Sequence, residues 1–156
     1  MATDAKTHVS PSKVILLTEA ELRESVGLDA VSLAAIERAF AALADGGVTL
    51  PPPMAIDFPL SDGEVHIKSA YLHGEDAFAI KIASGFYKKA ERGYPTASGM
   101  MVLVSAETGF LEAIFFDNGY LTQLRTALAG AIAAKYFAKK KLGRVGIIGA
   151  GSQGRY

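Results

Sequence analysis

An α/β chain is predicted: an α+β unit with helices and a mainly antiparallel sheet, then the opening of a second unit. Three observations predict it. Helical apolar spacing marks residues 29–45, β-rich runs parted by short turns fill the middle, and a β-branched run near the end leads directly into G-x-G-x-x-G. That last feature reads as the first strand of a Rossmann fold and its phosphate-binding turn.

Composition narrows the function classes. The 156 residues are 50% hydrophobic and 21% charged, which fits a packed chain rather than a solvated one. Sixteen basic residues balance sixteen acidic ones, so no bulk charge draws nucleic acid or an anionic membrane. With no cysteine there is no disulfide framework or thiolate metal site, and three histidines leave little for another metal cluster. Residues 1–12 are polar and small, lack a secretory apolar core, and read as a disordered tail. The apolar stretch 127–134, flanked by Arg125 and Lys135, falls short of the roughly 20 residues a span needs. A cytoplasmic protein without membrane or nucleic-acid partners is therefore expected.

Val14, Ile15, Leu16 and Leu17 form a short strand-type run. Thr18 with Glu21 makes a capping box, opening a helix through Ser25. Asp29 caps a second helix, in which Leu33, Ile36, Phe40 and Leu43 recur at spacings of three and four as one buried stripe. Gly46 and Gly47 stop it, and Pro51, Pro52 and Pro53 force an extended entry into the middle of the chain.

Runs 64–72, 78–84, 99–105 and 110–116 are strands, and their Gly, Asp and Glu turns favour antiparallel neighbours. A surface excursion with Lys88, Lys89, Glu91 and Arg92 separates the second and third. Asp117, Asn118 and Gly119 break the chain before a helix over 120–137, rich in small residues that permit close approach by a backbone or ligand. Lys139, Lys140 and Lys141 lie past its end; they suit the helix dipole, with phosphate binding as the functional alternative.

Arg144 to Ile148 reads as a strand buried on both faces, running into Gly149, Ala150, Gly151, Ser152, Gln153 and Gly154. In such a turn the first glycine permits the tight bend, the second admits a pyrophosphate, and the third allows strand–helix packing. Dinucleotide binding is one reading and an ordinary glycine-rich turn the other. The acidic residue expected about 20 positions on would fall beyond Tyr156.

The combination of Ala79-Ile80-Lys81-Ile82, Gly93-Tyr94-Pro95-Thr96, Thr122-Gln123-Leu124-Arg125-Thr126 and the glycine turn resembles the ornithine cyclodeaminase/mu-crystallin family of NAD(P)-dependent enzymes. Ile67-Lys68-Ser69-Ala70-Tyr71, Ser98-Gly99-Met100-Met101 and Asp117-Asn118-Gly119-Tyr120-Leu121-Thr122 look most like its ectoine-utilisation branch. The resemblance covers nearly all of the chain but about the first half of a typical member. It implies a substrate-binding and dimerisation domain over 13–118, then a linking helix and the start of a truncated Rossmann domain over 119–156.

By that resemblance Lys81 and Arg125 bind the substrate carboxylate, and Arg125 also reaches a cofactor phosphate. Thr96, Gly149, Gly151, Ser152, Gln153 and Gly154 contact NAD or NADP. A small amino acid or diamino acid is the implied substrate, a homodimer the implied assembly, and no metal is implied. The hydride chemistry belongs to the cofactor, while the protein orients and polarises. Cyclodeamination, oxidation and imine reduction all stay open.

The chain departs from the family pattern in two places. Many members carry an arginine just after the proline pair, whereas this chain reads Pro51, Pro52, Pro53, Met54, Ala55, Ile56, which argues against ornithine as substrate. Lys68 is a candidate for the missing charge, or an ordinary strand residue. The family's catalytic aspartate would lie beyond Tyr156, so no catalytic residue is assigned and the chain alone is expected to be inactive. The competing reading is a non-catalytic dimerisation or ligand-binding module, and a weaker one a crystallin-type binding protein.

Overall fold

A computed structural model describes residues 13–156. The expected tail over 1–12 lies outside the described residues. Strand β1 (Ile15–Thr18) leads into α1 (Glu19–Ser25), and both arms of the expected capping box form between Thr18 and Glu21. Asp29 caps α2 (Ala30–Ala44) by accepting from the Ser32 N–H at 2.7 Å, and Gly46 takes the left-handed conformation that ends it.

Around and beyond the prolines come β2 (Val48–Thr49), β3 (Met54–Phe58), β4 (Gly63–Leu72), β5 (Ala77–Phe86), β6 (Ala97–Ser105) and β7 (Leu111–Phe116). The excursion between β5 and β6 includes a 3-10 turn, Lys88–Arg92. Helix α3 (Tyr120–Phe137) has the expected bounds, and a single turn, α4 (Ser152–Arg155), comes after the glycine motif. No described helix is long and apolar enough to cross a membrane.

The sheet order is β1-β7-β6-β5-β4-β2, with β3 also on the outer edge of β4. All pairs are antiparallel except β1 with β7. The register defines two faces. One cross-strand row, Lys68–Lys81–Met101–Phe115–Leu17, ends in residues that pack on the helices; the next row, Ser69–Ile80–Val102–Ile114–Leu16, points the other way.

The core lies where α3 crosses the β1–β7 side. Leu22, Tyr120, Leu124 and Leu128 are buried, with Leu17, Leu33, Ile36 and Phe115 against them. Spacings of four along α3 put its three buried residues on one stripe. Tyr120 also donates its hydroxyl to the Val26 carbonyl at 2.5 Å, fastening the α1 exit to α3.

Two expectations need correction. The α2 stripe is only partly buried: Leu33 and Ile36 pack, but Phe40 and Leu43 stay exposed above the sheet. The strand expected over 144–148 is not formed, and Val145, Ile147 and Ile148 are exposed. A β-branched run becomes a strand only when a neighbour accepts its ladder, and no described strand pairs with it.

Candidate functional site

Lys81 stands in mid-β5 on the helix-facing side, with Lys68 and Met101 as cross-strand partners. Two like charges directly opposite each other disfavour the sheet. Lys68 keeps its side chain exposed, whereas Lys81 is half-buried. Burial pushes the Lys81 ammonium below its ordinary range, Arg125 and Lys68 push it further down, and Asp117 opposes them. Three cations thus act on one region of one sheet face. A carboxylate placed among them would relieve their mutual repulsion, so the arrangement suits an anion.

Arg125 comes next to buried Leu124 on α3. Its place in the sequence is unusual for a solvated arginine, yet its side chain is exposed. It sits at the wall of an open cavity of about 390 Å³ between α2 and the sheet. Ile36, Phe40, Leu43, Ala79 and Leu103 supply apolar walls, and among the described residues Arg125 is the one charged group lining it.

The glycine turn meets the tight bend and open backbone the motif requires, and its third glycine is held by a close contact within the turn rather than by packing on a strand. Gly149 has φ of +98°, in the left-handed region. A Cβ on Gly154 would lie 2.7 Å from the Gly149 carbonyl oxygen, so a side chain there would strike backbone. A Cβ on Gly151 meets nothing within 4 Å, which leaves that backbone open to an approaching group. Ser152 begins α4 directly after it, and Gln153 donates its side-chain amide to the Gln123 carbonyl at 3.3 Å. These residues fit a dinucleotide pyrophosphate: a tight bend, a bare backbone and uncapped N–H groups at the start of α4.

Thr96 sits apart. Its carbonyl accepts from the Phe86 N–H at 2.8 Å, at the end of the β5–β6 ladder. It is five residues along β5 from the level of Lys81, roughly 16 Å at strand rise. Lys81, Lys68 and Arg125 are therefore brought into electrostatic range, and the turn is docked on α3, while Thr96 is not joined to either by a hydrogen bond among the described residues.

Asp117 was legible only as part of a chain break. It is 1% exposed; Oδ2 accepts the Leu121 N–H at 2.9 Å, and Oδ1 has no hydrogen-bond partner among the described residues. An acidic residue just ahead of a helix was the available signal; it suggests a cap, and the Leu121 N–H contact bears that out.

A family model described as the ornithine cyclodeaminase/mu-crystallin family matches residues 12–156. An uncharacterized cyclodeaminase of Sinorhizobium fredii is 48% identical over 141 residues, 90% of this chain and 43% of that protein. Among solved structures, Δ1-pyrroline-2-carboxylate reductase of Thermococcus litoralis, in complex with NADH and L-proline, superposes with a TM-score of 0.84 at 29% identity, covering 91% of this chain and 43% of that one. An archaeal alanine dehydrogenase dimer with bound NAD gives 0.82 at 33% identity, covering 91% and 42%. The chain thus spans less than half the length of these relatives.

Proposed function

Because the chain belongs to the ornithine cyclodeaminase/mu-crystallin family, we propose that it is the substrate-binding and dimerisation part, with the first cofactor turn, of an NAD(P)-dependent enzyme acting on a small 2-amino acid or the corresponding imine. The observation that carries this reading is the placing of Lys81, Lys68 and Arg125 over one sheet face, with α3 docking the glycine turn through Gln123. NAD-bound and NADH-bound relatives of the same fold support the cofactor type.

A bound nicotinamide would supply the hydride chemistry at the substrate α-carbon. The chain's own residues bind and orient. Lys81 holds one substrate carboxylate oxygen as a compact charge, and Arg125 offers a planar fork to the carboxylate or to a cofactor phosphate. Lys68 supplies the charge that the arginine-free stretch after Pro53 lacks. The apolar cavity beside Arg125 excludes water from the substrate's hydrocarbon part and strengthens these electrostatic contacts. Ser152 and Gln153, with the bare backbone at Gly151, hold the pyrophosphate.

A homodimer belongs to the same reading. The sheet face carrying Ile80, Val102 and Ile114 has no described helix over it, and Ile56 and Met54 on its β3 side are exposed. A second copy packed across that face would cover apolar rows that solvent now meets. A role in ectoine breakdown is the finer proposal, motivated by the wording of the β4, β6 and α3 motifs.

The test is a spectrophotometric screen of the intact protein with NAD and NADP against 2-amino acids, diamino acids and cyclic imines, ectoine-derived diamino acids included. Substrate-dependent change in reduced-nicotinamide absorbance, abolished by K81M, is expected. Saturable cofactor binding with no turnover across the whole panel would favour the non-catalytic reading.

A further inference from the structure

A buried carboxylate with one unpartnered oxygen requires an account, because an isolated charge away from water is costly unless another charge compensates it. Asp117 is such a group: Oδ2 is used by the Leu121 N–H, while Oδ1 has no partner among the described residues. The register shows what lies nearby. Lys81 pairs with Met101, Met101 pairs with Phe115, and Asp117 lies two residues past Phe115. On the helix-facing side β6 places Met101 and Gly99 between the two, Met101 in the row of Lys81 and Gly99 in the next row, paired with Ala83. Gly99 has no side chain and Ala83 only a methyl group, so the row next to that of Lys81 and Met101 is open on the side of Asp117. Gly99 is also held as glycine by backbone: a Cβ there would lie 2.8 Å from the Ile82 carbonyl and 3.6 Å from the Gly119 backbone.

We propose that Asp117 is a positioning residue for the anion-binding cluster: its buried carboxylate is the through-space counter-charge that keeps the Lys81 ammonium charged and drawn across Gly99 toward α3. The inference rests on the carboxylate-binding reading of Lys81 for its functional meaning, though not for its test. The other charged or titratable groups on that side are Asp57 of β3, Lys68, His66 and Glu64 of β4 and Arg125 of α3. Glu64 is engaged by His66 and Tyr87, and Asp57 lies beyond it at the far end of the β3–β4 ladder, so among these acids Asp117 is the one acting on Lys81. Burial, Arg125 and Lys68 all disfavour the ammonium, and among the described residues Asp117 is the one group that favours it.

The test uses the intact protein and needs no substrate. The rate of Lys81 acylation by an amine-labelling reagent is followed by mass spectrometry against pH for wild type, D117N and D117S. Both substitutions keep an acceptor for the Leu121 N–H but remove the charge. With the counter-charge gone, more of Lys81 is free amine at a given pH, so its labelling rate at neutral pH rises by about tenfold for each unit its midpoint falls. Unchanged Lys81 labelling in a folded variant overturns the proposal, as does failure of both variants to fold, which would make Asp117 a fold determinant alone. If K81M leaves turnover intact, the carboxylate-binding reading fails while the labelling shift still stands.

Discussion

The Gln153 side-chain amide donates to the Gln123 carbonyl at 3.3 Å, tying the glycine turn to the helix that carries Arg125. Two segments thirty residues apart are thereby held together. Replacing Gln153 by alanine removes that tie along with a side chain at the proposed pyrophosphate. A loss of about 1 kcal/mol in NADH affinity, roughly fivefold, is expected in a fluorescence titration of the intact protein.

The glycines of the turn should separate by mechanism. G151A places its methyl in open space, so the thermal midpoint should not move, while cofactor affinity falls by about tenfold because the backbone is no longer bare. G154A sets a methyl against the Gly149 carbonyl and should disturb the turn itself. Hydrogen exchange across residues 149–154 should rise in G154A and stay unchanged in G151A.

Lys81 is expected to cost stability in return for binding. Its folded-state pKa lies below the ordinary 10.5, so the native state holds its proton less tightly than the unfolded chain. The penalty is fully present below the folded pKa and is relieved as pH rises toward 10.5. K81M should therefore raise Tm at neutral pH, and the gain should shrink in alkaline buffer. The same variant should lose about 2 kcal/mol of carboxylate binding, roughly 30-fold in KM. A lower Tm for K81M at neutral pH would contradict this sign.

Leu124 is 3% exposed and joins α3 to α1 and the β1–β7 edge. L124A should cost about 3 kcal/mol in denaturant unfolding, as transfer and cavity terms add. Because Arg125 is the next residue, cofactor and substrate affinity should weaken along with stability.

Ile80 lies in the centre of the uncovered apolar row, between Ser69 and Val102. I80E should leave far-UV circular dichroism unchanged, since no described helix packs there. In light scattering it should convert the proposed homodimer to monomer; a dimer that survives I80E would place the interface elsewhere.

Much of this was legible locally. Thr18 with Glu21 and Asp29 announce their helices because capping chemistry acts within three residues, and the α3 bounds are set by Gly119 ahead and Ala138 behind. Strands β2 and β3 were not legible: the first is two residues long, and the second reads as a mere continuation of the proline run until β4 supplies its partner. The same dependence on a partner explains the opposite error over 144–148, where a sound strand sequence has no described strand beside it.

By itself, then, the sequence determined the order of elements, the alternation that separates two sheet faces, the glycine turn and the identity of Lys81, Arg125 and the turn residues as candidates. These are properties of near neighbours, set by backbone sterics and side-chain periodicity. Only the tertiary structure decided which charges share a face: that Lys68 opposes Lys81, that Arg125 acts on Lys81 from α3, and that Asp117 is buried with one oxygen unpaired. Charge–charge interaction depends on distance and on the water excluded between groups, and both are fixed by strand register and helix packing rather than by separation along the chain.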